Sequence, residues 1–362
     1  MKYIDEFRDP AAARALVERI RKDAADAPAR IMEVCGTHTV AIARGGLRPL
    51  LAGAVTMVSG PGCPVCVTPD GYIDAAIAIG GRKGALLASF GDMLRVPGRS
   101  SSLEKEKGKG LDVRVVYSPL DAVALAAALP DRDVVFLGVG FETTAPAIAG
   151  AIRAAFARGV ANFSVLASVR TIPEAMELLA SDPEVAIDGF LCPANVSAII
   201  GANAYRPLAE THRIPCVVAG FEPLDILLGV AMLLRQMRRG EARVENEYSR
   251  VATAAGNGKA QALLREVFTP CDAGWRGIGV IPRSGLRIGE RFAAFDAERK
   301  FGVPVVFSPE RTACRCGEVL KGKILPRDCP LFGKECVPEE PYGPCMVSGE
   351  GTCAAYYRYG GA

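Results

Sequence analysis

The sequence predicts an α/β protein built of two similar parallel-sheet α/β domains, plus a mostly helical and irregular domain rich in cysteine. Three observations carry this. Short apolar runs alternate with Ala-rich helical stretches along most of the chain, the pattern of parallel sheets buried on both faces. Two segments echo each other: VVFLGVGFETTAPAIAGAI (134–152) and VVAGFEPLDILLGVAML (217–233) both run strand, Gly-Phe-Glu, apolar helix. Third, of twelve cysteines, six (Cys314, Cys316, Cys329, Cys336, Cys345 and Cys353) crowd into one Gly/Pro-rich tail.

The elements follow in order. Residues 10–27 (PAAARALVERIRKDAADA) place Ala13, Leu16, Val17, Ile20 and Ala24 at helical spacing, with charges between. Strand-like runs fall at 30–34, 54–58, 85–90, 113–117, 134–139, 163–169, 189–192 and 216–220. The stretch 99–112 (RSSSLEKEKGKGLD) is polar, charged and glycine-rich and reads as an exposed, mobile loop. Helices are expected at 241–253 and 258–267, before a tail that cannot build an ordinary core and needs a staple, such as a metal cluster. The domain boundaries that result are 27–125, 126–240, and a third unit formed by 1–26 with 241–362.

At 362 residues and half apolar, the chain can fill two or three cores. Its 43 basic and 40 acidic side chains leave a net charge of +3, which gives no electrostatic reason to bind nucleic acid or an anionic membrane. Residues 1–10 carry Lys2, Asp5, Glu6 and Arg8 and no apolar signal core. The uncharged run 49–69 is broken by Gly53, Gly60, Pro61, Gly62 and Pro64 and reads as strand plus loop rather than a membrane span. The expectation is a cytoplasmic protein, in which crowded cysteines are metal ligands or redox thiols rather than disulfide staples.

Three cysteine motifs carry chemistry. Cys314, Cys329, Cys336 and Cys353 give C-x14-C-x6-C-x16-C. Four thiolates suit a cubane iron–sulfur cluster; the tail lacks the short C-x2–4-C knuckles of structural zinc, although zinc or unligated thiols stay open on spacing alone. Cys316 and Cys345 are left over, either as substitute ligands or as a redox pair. The second motif is Gly60-Pro-Gly-Cys63-Pro-Val-Cys66, whose C-x-x-C can close a disulfide or share a soft metal ion. The third is Cys35-Gly-Thr-His38, where a strand ends and a helix opens. A helix dipole there lowers a thiol's pKa, and His38, one turn on, can serve as base or as partner to a ligand.

Asp92 (after SFG) and Glu142 (after GVGF) sit at strand-to-helix turns, either as helix caps or lining a ligand crevice at strand carboxyl ends. Thr143 and Thr144 would add hydroxyls beside Glu142. There is no phosphate loop, no complete dinucleotide fingerprint after Gly138 and Gly140, and no nucleophile elbow. His212, Cys192, Cys216 and Cys271 read as structural, the three cysteines as small buried apolar groups.

Taken together, CGTH (35–38), GPGCPVC (60–66), GDMLRVPG (91–98), GFETTAP (140–146) and the tail CRCGEVLKGKILPRDCPLFGKECVPEEPYGPCMVSGEGTC (314–353) resemble the hydrogenase formation protein HypD family. The resemblance runs in family order over nearly the whole chain and removes no family cysteine. It implies two α/β domains and a third carrying one [4Fe-4S] cluster on Cys314, Cys329, Cys336 and Cys353, with Cys35, Cys63 and Cys66 facing a shared cleft. There, with the small chaperone HypC, the protein would hold an iron ion. That iron would gain cyanide delivered through HypE and a carbonyl ligand, as Fe(CN)2CO, before transfer to the hydrogenase large subunit.

On this reading Cys35 supplies a soft thiolate to low-spin iron, Cys63 and Cys66 form a redox-active pair, and His38, Asp92 and Glu142 donate protons or hydrogen bonds. The chain would be an assembly scaffold rather than a conventional turnover enzyme. Two alternatives compete: a cluster-dependent protein disulfide reductase, and a zinc-stapled binding module. Neither gives CGTH a task.

Overall fold

The computed structural model describes residues 5–24, 28–308 and 313–360. Eleven strands are present among them: β1 (Ala29–Glu33), β2 (Val55–Ser59), β3 (Ala85–Ser89), β4 (Val113–Val115), β5 (Asp133–Gly140), β6 (Phe163–Arg170), β7 (Gly189–Pro193), β8 (Cys216–Ala219), β9 (Val244–Asn246), β10 (Phe268–Trp275) and β11 (Gly279–Ile288). They form a five-stranded sheet in the order β2-β1-β7-β8-β9 and a six-stranded sheet in the order β10-β11-β6-β5-β3-β4. The first is parallel throughout. The second is parallel from β4 to β6, with β11 and β10 added antiparallel. The fold is α/β with two parallel-dominated sheets, as the sequence pattern predicts.

Both faces of each sheet are buried along its central strands. Along β1, Ile31 packs against the helices Pro10–Asp23 and Pro223–Arg238, while Met32 faces the opposite core. In β5, Val134 and Phe136 face the helices Pro119–Ala128 and Ala145–Arg158, whereas Val135 and Leu137 face the helix Asp70–Gly80. Two-sided burial explains why these strands read as unbroken apolar runs rather than alternating ones. Local signals fix the helix ends. Asp9 caps Pro10–Asp23, and Ser118 with Asp121 forms a capping box around Pro119.

The sheets divide the chain differently from the expected boundaries. Residues 27–125 supply β1 and β2 to one sheet and β3 and β4 to the other, and 126–240 is likewise shared. The chain crosses between sheets three times, and periodicity within a strand carries no record of its neighbours. The two echoing segments do become strand–turn–helix units, one in each sheet: β5 with Ala145–Arg158, and β8 with Pro223–Arg238.

Three further expectations are corrected. Residues 99–112 are not all loop: Leu103–Gly108 is a helix, capped by the Ser102 hydroxyl at Lys105 N (3.3 Å), with Leu103 fully buried. The helix expected at 241–253 is replaced by β9, whose backbone pairing with β8 outweighs local propensity. The last unit is not merely helical and irregular, because β10 and β11 extend the six-stranded sheet. Pro270 is tolerated there because β10 is the edge strand. The first helix is described over Pro10–Asp23; 25–27 lie outside the described residues. No helix among the described residues is long and apolar enough to cross a membrane.

Candidate functional site

The site begins at the carboxyl ends of β1 and β2. Cys35 precedes the helix Gly36–Arg44 in an extended conformation (φ −157°, ψ 127°). The loop after β2 folds over it: Gly60 N donates to Glu33 O at 2.7 Å and Gly36 N donates to Gly62 O at 3.0 Å. Gly62 lies against the Cys35 backbone so closely that a Cβ would overlap its nitrogen. The next residue, Cys63, is joined to Cys66 by a disulfide, and both are buried. CGTH and GPGCPVC, 24 residues apart at their first glycines, thus form one interlocked turn pair.

The cysteine-rich tail seals this pair. A Cβ at Gly36 would stand 2.5 Å from the Glu350 Cβ, and Thr37 Oγ1 donates to Glu350 Oε1 at 2.9 Å. Cys66 Sγ lies 3.9 Å from Pro344 O, one residue before Cys345. Cys63, Cys66, Cys192, Cys316, Cys336, Cys345 and Cys353 all line the same apolar core.

Burial, not the helix dipole, governs Cys35. Its thiol is pushed up to about 11, because desolvation of the thiolate outweighs the N–H groups of His38 and Thr37 that face the sulfur. The lowered pKa expected from the motif is therefore not found. Cys35 Sγ also lies 3.8 Å from Asn195 Oδ1, at the start of the helix Ala194–Ile200 that follows β7.

His38 is fully buried, with Nε2 2.8 Å from Gly220 O and 3.2 Å from Ala219 O. Both partners only accept, so Nε2 carries the proton. Burial pushes the ring down to about 4, leaving it neutral. Nδ1 is buried without a partner among the described residues, and the ring lies 4.7 Å from Phe221.

Glu33 was not legible as a site residue, yet it underlies Cys35. It is fully buried, accepts from Thr39 Oγ1 at 2.6 Å and from Cys35 N at 3.2 Å, and has Arg48 at 3.9 Å. Desolvation raises its pKa to about 7. The available signal was a carboxylate inside an otherwise apolar strand, directly before CGTH. Asn195 had no such signal.

Glu142 is buried at the end of β5. Its Oε1 accepts from Ile172 N at 2.8 Å and Oε2 has no partner among the described residues. Burial lifts its pKa to about 8. Phe141 stacks on Trp275 (5.7 Å) and belongs to the core that holds Cys63 and Cys66. Thr144 caps the following helix without a side-chain bond. Asp92 is exposed in the turn Gly91–Arg95, beyond β3 of the other sheet, whereas Cys35 follows β1 of the five-stranded sheet. Its neighbour Arg95 reaches the tail at Pro338 O (3.0 Å).

In the tail, Cys314 and Cys316 both approach Gly343, the proximity of Cys314 raises the Cys316 pKa, and Cys345 Sγ accepts from Cys353 N at 3.3 Å. Cys336 is raised by burial and then by Cys314 and Cys329. The four cysteines of the 14/6/16 spacing therefore share one neighbourhood and match a cubane cluster in number and softness. Among the described residues, however, no three side chains already stand as a metal-ligating group. Of the three cysteines read as structural, Cys192 and Cys216 are fully buried and donate to the carbonyls of Phe190 (3.9 Å) and Ile214 (3.6 Å), whereas Cys271 is only half-buried.

Comparison with known proteins accords with this assembly. A sequence model described as "Hydrogenase formation hypA family" (HypD) matches residues 11–360. A protein of Azotobacter vinelandii named hydrogenase maturation factor HypD is 48% identical over 368 residues, covering 99% of this chain and 97% of the relative. Proteins of the same name from Rhodobacter capsulatus and Escherichia coli are 47% and 45% identical, over 100% and 99% of this chain and 99% and 98% of their own length. With matches of this extent on both counts, the chain belongs to the HypD family.

Proposed function

We propose that this chain is a [NiFe]-hydrogenase maturation factor that serves as an iron-binding redox scaffold. On it the Fe(CN)2CO centre is assembled together with a HypC-type small chaperone and a HypE-type cyanide donor, before transfer to the hydrogenase large subunit. The observation that carries this is the interlock of CGTH with GPGCPVC, since it brings one unpaired thiol and one C-x-x-C pair to the same strand ends.

Iron is the cargo here. Cys35 supplies a soft thiolate suited to low-spin iron(II) with cyanide and carbonyl ligands. Its thiol, held up by burial, gives its proton up when a cation takes its place. Cys63 and Cys66, as a disulfide, accept two electrons and two protons to become a dithiol, and the freed sulfurs then become available to the same iron. Neutral His38 keeps an unprotonated Nδ1 toward the interior. Glu142, protonated near neutral pH, is a buried proton store beside the same core. Asp92, exposed on the other sheet, is better placed to meet a partner than the iron.

Cys314, Cys329, Cys336 and Cys353 would hold a [4Fe-4S] cluster, which supplies single electrons when bound. Cys316, beside Cys314, and Cys345, which accepts from Cys353 N and follows Pro344 next to Cys66, extend the run of thiols toward the disulfide. A cytoplasmic setting agrees with so many thiols.

The Cys63–Cys66 disulfide also favours a second reading, a cluster-dependent protein disulfide reductase. Anaerobic purification with the small chaperone, followed by infrared spectroscopy and iron and sulfide counts, separates the two. Cyanide and carbonyl bands that vanish in Cys35→Ala, with cluster iron retained, support the scaffold. A brown protein without such bands, turning over a disulfide substrate, supports the reductase.

A further inference from the structure

The geometry points to Asn195 as the hydrogen-bond donor that receives a cyanide ligand of the iron held by Cys35. The inference rests on the scaffold reading above and adds a residue to it that no motif singled out.

Three neighbouring strands converge at this point. In the order β2-β1-β7 they deliver the GPGC loop, Cys35 and Asn195 to one edge of the five-stranded sheet. Asn195 Oδ1 is the side-chain acceptor lying 3.8 Å from Cys35 Sγ. The same oxygen accepts from Val196 N at 2.9 Å. A backbone N–H can only donate, so the atom facing it is the amide oxygen, and the orientation of the amide is fixed. Nδ2 is thereby turned away, and among the described residues it donates to no protein group. Asn195 is only half-buried, so its amide is accessible at the mouth of the site while its oxygen touches the sulfur.

When Cys35 binds iron it loses its proton and no longer donates to Oδ1, while the Val196 bond still anchors the amide. The two Nδ2 hydrogens, on a side chain that touches Cys35, would then be available to a ligand carried by the metal. Cyanide bound through carbon carries negative charge and a nitrogen lone pair at its far end. Bound carbon monoxide ends in a weakly basic oxygen. An uncharged donor of this kind therefore favours cyanide over carbonyl on its side of the iron, without repelling the anion as a carboxylate would.

The test is the infrared spectrum of the anaerobic complex with the small chaperone, for the parent chain, Asn195→Ala and Asn195→Asp. The aspartate keeps an acceptor for Val196 N, and so the local fold, but has no donor. One cyanide band is expected to move in both variants while the carbonyl band holds nearly still. In the parent, that same cyanide band is expected to shift on exchange into D2O. Cyanide bands at parent frequencies in both variants, or no D2O shift in the parent, would overturn the assignment of Asn195 and leave the scaffold standing. Absence of cyanide and carbonyl bands in the parent itself would instead overturn the scaffold reading.

Discussion

The amide of Gly36 donates to the carbonyl of Gly62 at 3.0 Å, and this single bond ties the loop that carries the disulfide to the helix that Cys35 opens. Gly62 is required here for space, because any Cβ would collide with the Cys35 backbone. Gly62→Ala is therefore expected to push the two motifs apart. Overpacking of this kind costs about 1–3 kcal/mol, measurable by urea unfolding. Iron beyond that of the cluster should be lost from the anaerobically purified complex, while circular dichroism stays close to the parent. Full retention of that iron would argue that Cys35 and the C-x-x-C loop act separately.

Cys35 itself stands on Glu33, and that dependence gives a graded expectation. Glu33→Ala leaves Cys35 N without its acceptor, the Thr39 hydroxyl with only the Cys35 carbonyl (3.2 Å), and Arg48 without its nearby carboxylate. Leaving a buried donor without its acceptor costs on the order of 1–3 kcal/mol. Glu33→Gln keeps an acceptor oxygen and should cost less. Denaturant unfolding of both variants checks the order, and an alanine variant as stable as the parent would show that the network contributes little.

Most of the fold was legible because of two-sided burial. Eight strands, from β1 to β8, show as apolar runs since residues such as Met32 and Ile31, or Phe136 and Val135, are all in cores. The assignment of strands to sheets was not legible, because β2 and β3 are consecutive yet lie in different sheets. The hairpin of β10 and β11 hid behind Pro270, which the edge strand β10 tolerates, and Pro282, which falls in the bulged, unpaired stretch of β11. In the site, cysteines and crowded glycines announce themselves by type. Asn195 and Glu33 do not, since their importance comes only from which strand lies beside β1 and from what the fold buries.

Glu142 gives the chain a pH dependence of definite sign. Its carboxyl has a pKa of about 8 in the folded protein against an ordinary value of 4.5. The folded state thus holds a proton that the unfolded chain has released between those values, and stability falls as pH rises through that window. The contribution is fully present below about 4.5 and lost above 8, with a slope of at most about 1.4 kcal/mol per pH unit. Glu142→Gln keeps the oxygen that accepts from Ile172 N and should flatten the profile, gaining stability at the alkaline end. Urea titrations from pH 5 to pH 9 (roughly the range that brackets the shift) check this. Equal slopes in both proteins would remove Glu142 as the titrating group.

The tail cysteines divide into two classes by expected effect on the metal. Serine at Cys314, Cys329, Cys336 or Cys353 is expected to abolish the cluster's visible absorbance and its iron. Where a cluster is the staple of a segment, its loss should also unfold that segment, read as new protease cleavage within 313–360. Serine at Cys271, half-buried on the edge strand β10, should leave iron content unchanged. A four-way retention of cluster iron, with loss in Cys316→Ser and Cys345→Ser, would reassign the ligands to the second pair.

Trp275 turns the redox state of the C-x-x-C pair into an optical signal. It is the one tryptophan of the chain and fully buried, with Nε1 donating to Ser284 Oγ at 2.7 Å. The next residue, Arg276, donates its backbone N–H to Val67 O at 2.8 Å, and Val67 follows Cys66 directly. The indole shares its apolar core with both sulfurs. A disulfide near an indole quenches its emission, and breaking the bond frees the loop to which Arg276 is tied. Treatment of the anaerobic protein with a dithiol is therefore expected to raise Trp275 fluorescence together with a mass gain of two hydrogens on the Cys63/Cys66 peptide. In Cys63→Ser no disulfide can form, and the emission should be high at the outset and insensitive to the dithiol. A mass gain without a fluorescence change would separate the indole from the loop and show that the Val67 contact does not transmit the reduction.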